Sequence, residues 1–437
     1  MSFLMASSAR TEVLLLFRGR ALDGALQDHS DTLEMTVGDL ASLQAQGALM
    51  LLRSCFGAPK LTYLLRSSPC WNHPLLETID TQMRYGLERI LNIKLNDTQW
   101  LQATLPIRDG GLGVRRVTML ASSAFLASAA STKTLRAAIL DREEWTDEFE
   151  QEILEARRPT FPGGETAALT RQKTWDRTLI DLDKTLVWSA NTDPLNQARL
   201  GAITAPHAGD WLLTVPIASS GLGLSNEAVR VAIGLRLGLN LCASHQCQCG
   251  QTADPGGHHG LVCKQSEGRA SRHFAMNDTI WRALLRADIP SSKEPPGLLR
   301  SDGKRPDGAT LVPWAKGKYI TWDVTSIHTC AASYLHMTST TPGGAAELAA
   351  SRKITKYADL PTTYDFVPIA LESLGPINMA GREFITELGR RVSIATGDPL
   401  ETAHLFQRLS ICTQRYNAIA FRGTFMHNTE DKDHEPQ

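Results

Sequence analysis

No apolar run in this chain of 437 residues approaches the roughly 20 residues that a membrane-spanning helix needs, so no membrane partner is expected. The apolar stretch from Val13 to Phe17 is followed at once by Arg18 and Arg20, which excludes a secretory signal core. An excess of one charge is missing too: the formal net charge is −1, which gives no sign of a polyanionic partner for the chain as a whole. Two adjacent aspartates never occur, so a Tyr-x-Asp-Asp or Phe-x-Asp-Asp centre is absent and polymerase activity is not expected. Gly221 and Gly223 make an incomplete glycine fingerprint with no Lys-Ser or Lys-Thr after it, which excludes a P-loop. No compact basic localisation run is present.

Cysteine is sparse but unevenly spread. Cys55, Cys70, Cys330 and Cys412 stand singly and are expected as small core residues, whereas Cys242, Cys247, Cys249 and Cys263 fall close together. The spacing Cys247-x-Cys249, nine residues to His259, then three to Cys263, puts two thiolates on one knuckle and an imidazole with a third thiolate on another. That set suits tetrahedral Zn²⁺. His258 is an alternative ligand, and Cys242 or His245 could replace or extend the set. Four protein ligands leave no open position, so the zinc would be structural.

Two further runs place carboxylates. In Arg305-Pro306-Asp307-Gly308 a proline fixes the backbone before Asp307, and Gly308 permits a turn that aims its side chain. From Lys318 to Thr325 the sequence alternates, so Ile320, Trp322 and Val324 share one face of a strand. Tyr319, Thr321, Asp323 and Thr325 share the other, which is expected to be the polar face of a half-buried strand. The segment 309–312 and the loop 313–317 read as a hairpin that brings Asp307 and Asp323 together across adjacent strands. Two converging carboxylates suit a hard cation such as Mg²⁺. A helix predicted over 342–360 carries Lys353, Lys356 and Tyr357 on one face, where a lysine can offset charge on a phosphoryl group. Glu294 reads equally well as a further carboxylate near the metal or as a surface residue. Between Lys264 and Lys318 there are 11 Lys and Arg against 6 Asp and Glu, a local basic surplus that suits phosphate contacts. Arg272, His273, Lys304 and Arg305 are the candidate nucleic-acid-binding residues.

The expected organisation is a helical region at 1–140, a charged helical linker at 141–204, a helical segment with the knuckle at 205–270, an α/β core at 271–425 and a disordered charged tail at 426–437. A helix from Arg272 to Ala287 should bury Phe274, Trp281, Leu284 and Leu285. The fold class is therefore mixed α+β overall, with a three-layer α/β unit after the knuckle.

The order Cys247, Cys249, His259, Cys263, Arg272-His273, Arg305-Pro306-Asp307, Asp323-Val324 and Lys353-x-x-Lys356-Tyr357 resembles the C-terminal region of non-LTR retrotransposon reverse-transcriptase polyproteins. In that family a CCHC knuckle precedes a restriction-like endonuclease of PD-(D/E)XK type whose lysine has moved from the strand to the next helix. Thr325 stands where the standard motif has lysine. Lys60 to Arg66, Trp100, Leu105-Pro106 with Gly110-Gly111-Leu112-Gly113, and Ser123 to Ser128 are similar to the family's thumb and linker. The resemblance implies a DNA endonuclease that nicks target DNA, with Mg²⁺ on Asp307 and Asp323 and assistance from Lys353 or Lys356. It implies DNA as partner, element RNA as a second partner, and an intracellular, nuclear setting. The missing polymerase palm departs from the family and implies a separated fragment or a host gene derived from one. The alternative is a catalytically inactive, zinc-dependent nucleic-acid-binding protein of the same origin.

Overall fold

The computed structural model describes residues 19–140, 148–160, 169–266, 268–299 and 303–425. The apolar stretch at 13–17, part of the charged linker and the tail at 426–437 lie outside the described residues. The protein is mixed α+β and divides into two compact units, Met1–Ala190 and Asn191–Gln437. No helix among the described residues is long and apolar enough to cross a membrane.

The first unit is built of helices: α1 (Arg20–Leu40), α2 (Ala45–Leu51), α3 (Ala58–Ser67), α4 (Pro74–Leu91), α5 (Asp97–Thr104), α6 (Val117–Leu140), α7 (Glu148–Arg157) and α8 (Gln172–Ser189). Helix α4 shows why the sequence folds this way. Pro74 opens it where no amide donor is needed, the His73 side chain accepts from Leu75 N–H, and Asn92 ends it in the left-handed region. Leu76, Ile79, Met83, Leu87 and Ile90 recur at helical spacing and are buried. Asp80, on the same helix, accepts from Val117 N–H, Thr118 N–H and the Thr118 hydroxyl, so it satisfies the exposed amides at the start of α6. Helix α2 starts at Ala45 and runs on into a π-helical turn over Leu52–Phe56. Cys55 in that turn is exposed, not a core residue, because the wider turn carries it away from the α-helical buried face.

The second unit contains α9 (Pro194–Ile203), α10 (Asn226–Leu237), a short antiparallel pair β1 (His245–Gln246) and β2 (Thr252–Ala253), α11 (His258–Val262) and α12 (Gly268–Arg286). These are followed by β3 (Ser291–Lys293), β4 (Gly308–Thr310), β5 (Tyr319–Ile327), α13 (Leu335–Thr338), α14 (Gly344–Lys356), β6 (Tyr364–Glu372), α15 (Met379–Thr396) and α16 (Glu401–Arg422). Strands β3 to β6 form one sheet in sequence order. The β3–β4 and β4–β5 pairs are antiparallel and β5–β6 is parallel, so α14 is a crossover helix.

One face of the sheet packs Ile320, Trp322, Val324, Ile369 and Leu371 against α12, α15 and α16. The opposite face packs Ile327 and Ala370 against Ala345, Ala346, Ala349 and Ala350 of α14. The alternation in β5 is as expected, but its second face is not solvated. A parallel crossover lays a helix on that face, and the alanines let it approach closely. Asp323 is consequently only 3% exposed. Helix α12 also departs from expectation: Met276, Ile280, Ala283 and Leu284 line the core, while Phe274 and Leu285 are exposed. The buried stripe lies one position round the helix from the pattern that the large apolar residues alone suggest.

Gly308 is the first residue of β4 and needs its small size, not a left-handed turn. A Cβ there would stand 2.0 Å from Trp322 Cζ2, because the indole lies across it. Gly308→Ala is expected to lower stability by about 1–3 kcal/mol through overpacking, measured by denaturant unfolding. An unchanged midpoint would show that Trp322 can yield.

Candidate metal centre and carboxylate site

The Cys/His centre is assembled by a knuckle and a short helix. Gly250 N–H donates to Cys247 O at 2.8 Å and Cys247 N–H to Gln251 O at 2.8 Å, closing the loop that carries the first two thiols. Asp254 then accepts from His258 N–H at 3.1 Å and His259 N–H at 2.7 Å, which caps α11 and fixes the second half. Cys247, Cys249, His259 and Cys263 present ligand atoms within 4.8 Å of one another. Cys247 Sγ and Cys263 Sγ are 3.9 Å apart, and Cys249 Sγ is 3.3 Å from His259 Nε2. A tetrahedral metal with Zn–S bonds of about 2.3 Å sets its sulfurs about 3.8 Å apart, so the spacing fits. The chemistry points the same way. A hydrogen bond from the Gln251 backbone lowers the Cys249 thiol, whereas burial pushes Cys263 up to about 11. Three crowded thiols become thiolates together only when a cation offsets their charge. This cluster can hold a metal such as zinc.

The alternatives left open by the sequence separate cleanly. His258 turns away to meet His328, with its Nδ1 3.2 Å from His328 Nε2. Cys242 lies 3.8 Å from His245 Nδ1, and the His245 ring stacks on Phe425 with centroids 4.2 Å apart. Neither joins the four-residue cluster.

The carboxylate site is built by the β4–β5 register. Gly308 pairs with Trp322, and Asp307 N–H donates to Trp322 O at 2.9 Å, so Asp307 flanks Asp323 across the ladder. Val324 N–H donates to Asp307 Oδ2 at 2.6 Å, and His273 Nε2 lies 3.3 Å from Asp307 Oδ1. Burial and the neighbouring Asp323 charge push the Asp307 carboxyl up to about 7. Burial also holds His273 below its ordinary value, so at neutral pH it meets Asp307 as a neutral imidazole donor. Asp323 is gripped from α14. Lys353 Nζ donates to its Oδ1 at 2.5 Å and Tyr357 OH lies 2.8 Å from its Oδ2. Lys356 instead donates to Tyr357 OH at 2.9 Å. Lys353 thus contacts the Asp323 carboxylate directly.

The remaining candidates are placed differently. Arg272 is only 3% exposed and donates to Asn417 Oδ1 at 3.0 Å, so it ties α12 to α16 and does not offer its guanidinium to a surface phosphate. The sequence could not tell a buried arginine from an exposed one on a helix with such mixed polarity. Glu294 is about half exposed and pairs with Arg305 at the surface. Lys304 is exposed beside it. Tyr357, which shares a helical face with the lysines, carries a contact that its spacing alone does not reveal: the hydroxyl also lies 2.8 Å from Arg305 O, linking the helix to the turn that carries Asp307.

The donor set fits a hard cation. Two carboxylates converge, and Thr321 Oγ1 and Thr325 Oγ1, on either side of Asp323, are buried without a hydrogen-bond partner, as is His273 Nδ1. Buried polar atoms of this kind find partners in ordered water, and a hydrated cation would bring it. No protein-family model matches the chain, and no curated protein matches it.

A carboxyl raised from 3.8 to about 7 on folding contributes stability that is fully present below pH 3.8 and is lost as pH rises through 7. In metal-free buffer, the stability difference between wild type and Asp307→Asn should therefore change in the variant's favour as pH rises from about 4 to about 7, followed by denaturant titration at fixed ionic strength. A difference independent of pH would remove the buried-pair account of this carboxyl.

Proposed function

We propose that the protein is a DNA endonuclease that nicks by metal-assisted phosphodiester hydrolysis. The observation that carries this reading is the meeting of Asp307, Asp323 and Lys353, delivered by two antiparallel strands and a crossover helix. A carboxylate pair with a lysine on such a sheet supports a restriction-like core, and the knuckle before it supports descent from a non-LTR retrotransposon, acting on nuclear DNA. Mg²⁺ held by Asp307 and Asp323 would polarise the phosphate and acidify a water. The chain's own residues do the positioning. Val324 N–H and His273 fix the Asp307 carboxylate, Tyr357 holds Asp323, and the Lys353 ammonium stands where it can follow charge onto the phosphate. Lys304 and Arg305 lie on the exposed turn before Asp307, where backbone phosphates can be met. Zinc at the Cys/His cluster would be structural.

A second reading, a nucleic-acid-binding protein that does not cut, is favoured by the closed Lys353–Asp323 ion pair, because the ammonium occupies a carboxylate oxygen that a cation needs. Plasmid nicking separates the two. With Mg²⁺ the wild type should relax supercoiled DNA, and Asp307→Ala or Lys353→Ala should lower the rate by at least about 100-fold. Absence of nicking by wild type, with duplex DNA still bound, selects the non-cutting reading.

A further inference from the structure

Beyond the Cys3His cluster, a second set of metal-ligating side chains meets at the start of α11. His258, His328 and Cys330 each offer one ligand atom, and the three lie within 4.8 Å of one another. They come from different parts of the second unit: His258 opens α11, and His328 and Cys330 follow the end of β5. We propose that these three residues form a second metal site, for a borderline divalent cation of the zinc type.

The geometry carries the argument. His258 Nδ1 and His328 Nε2 face each other at 3.2 Å. Two imidazoles on one tetrahedral metal, with metal–nitrogen bonds of about 2.0–2.1 Å, set their nitrogens about 3.3 Å apart. The rings are therefore already spaced as ligands. His328 is also oriented as ligating histidines are: its far nitrogen, Nδ1, lies 2.7 Å from Ser373 Oγ. Ser373 Oγ takes the Thr329 N–H at 3.3 Å and has a second lone pair for the His328 Nδ1–H. That tautomer leaves the Nε2 lone pair aimed at His258. On the other ring, Asp254 holds the backbone of His258 through its N–H, so one carboxylate positions both His258 and its neighbour His259. Cys330, 6% exposed, completes a set of two imidazoles and a thiol. Its Sγ lies 3.9 Å from Leu195 O, a long contact that a thiol gives up at little cost.

Binding balances simply. The cation takes the Nε2 lone pair of His328 and the Nδ1 lone pair of His258, whose proton moves to Nε2, and the Cys330 S–H proton is released to solvent. The set N2S suits Zn²⁺ and not Mg²⁺. Three protein ligands leave a fourth position for water, and His328 lines a cleft of about 380 Å³ that also borders Lys353. The two centres would draw on adjacent residues of α11, one closing the knuckle on itself and the other fastening it to the end of the strand that carries Asp323.

The test is metal stoichiometry on the full chain, purified with zinc and freed of loosely bound ions. Two zinc equivalents per chain are expected by elemental analysis. Cys330→Ala and His328→Gln should each hold one, as should Cys249→Ser, which empties the other centre. A wild-type value of one, or a Cys330→Ala value of two, overturns the site and leaves His258 and His328 as a hydrogen-bonded core pair. If the variants do not fold, Co²⁺ titration of the wild type decides. Saturation at two equivalents, with thiolate-to-cobalt absorption from four thiolates, supports the site, and saturation at one equivalent with three thiolates overturns it.

Discussion

The second unit is organised around Trp322. Its indole is fully buried, lies across Gly308, and donates from Nε1 to Asn277 Oδ1 at 2.8 Å. Asn277 in turn donates from Nδ2 to Asp307 O at 3.2 Å. One side chain on α12 thus fastens the centre of β5 and the turn before β4 at the same time. A one-residue slip in the β4–β5 register would drive the indole into a residue with a Cβ, reverse the faces of the strand and separate the two aspartates. Because the indole N–H must be satisfied inside the core, the register that meets Asn277 is strongly preferred over its neighbours.

The same packing sets the electrostatics. Covering both faces of β5 takes Asp323 out of water, and a buried carboxylate is stable only with hydrogen bonds or an opposite charge. Lys353 and Tyr357 supply these from α14. Asp307 receives less: one backbone N–H and a neutral imidazole, with the Asp323 charge close by. Burial first, and then the Asp323 charge, outweigh the Val324 N–H and the charges of Lys353 and Lys356, so it is Asp307 whose proton affinity rises.

Much of this was legible in the sequence because it depends on short periods and local chemistry. The alternation from Lys318 to Thr325, the loop residues at 313–317 and the Cys/His spacing each constrain a few neighbouring residues, and the strand faces, the hairpin and the four-residue cluster follow them. Burial that depends on distant partners was not legible. Nothing near Asp323 announces that the alanines of α14 will cover it, and nothing near Arg272 announces Asn417, which lies on another helix. Gly308 illustrates the difference at one position: local rules assign a glycine after Pro-Asp to a turn, whereas the constraint here is the indole of a residue on the next strand.

The position of Lys353 links the fold to the proposed chemistry. It stands in the last turn of α14, where the helix dipole favours a cation, and its long side chain reaches Asp323 from there. A divalent cation beside Asp323 would repel the ammonium that sits on the same carboxylate. Under the nuclease reading, Asp307 and Asp323 would hold the cation, and the Lys353 side chain is long enough to turn from Asp323 Oδ1 toward the negative charge of a phosphate oxygen. The ion pair then seats α14, and it places the lysine within one side-chain movement of the group it would stabilise. Tyr357 can keep its hold on Asp323 Oδ2 during that exchange, because its hydroxyl accepts from Lys356 Nζ, which leaves its one proton free to turn to the carboxylate, and its ring packs on Phe366. The tyrosine supplies rigidity and the lysine supplies mobility, from neighbouring turns of one helix.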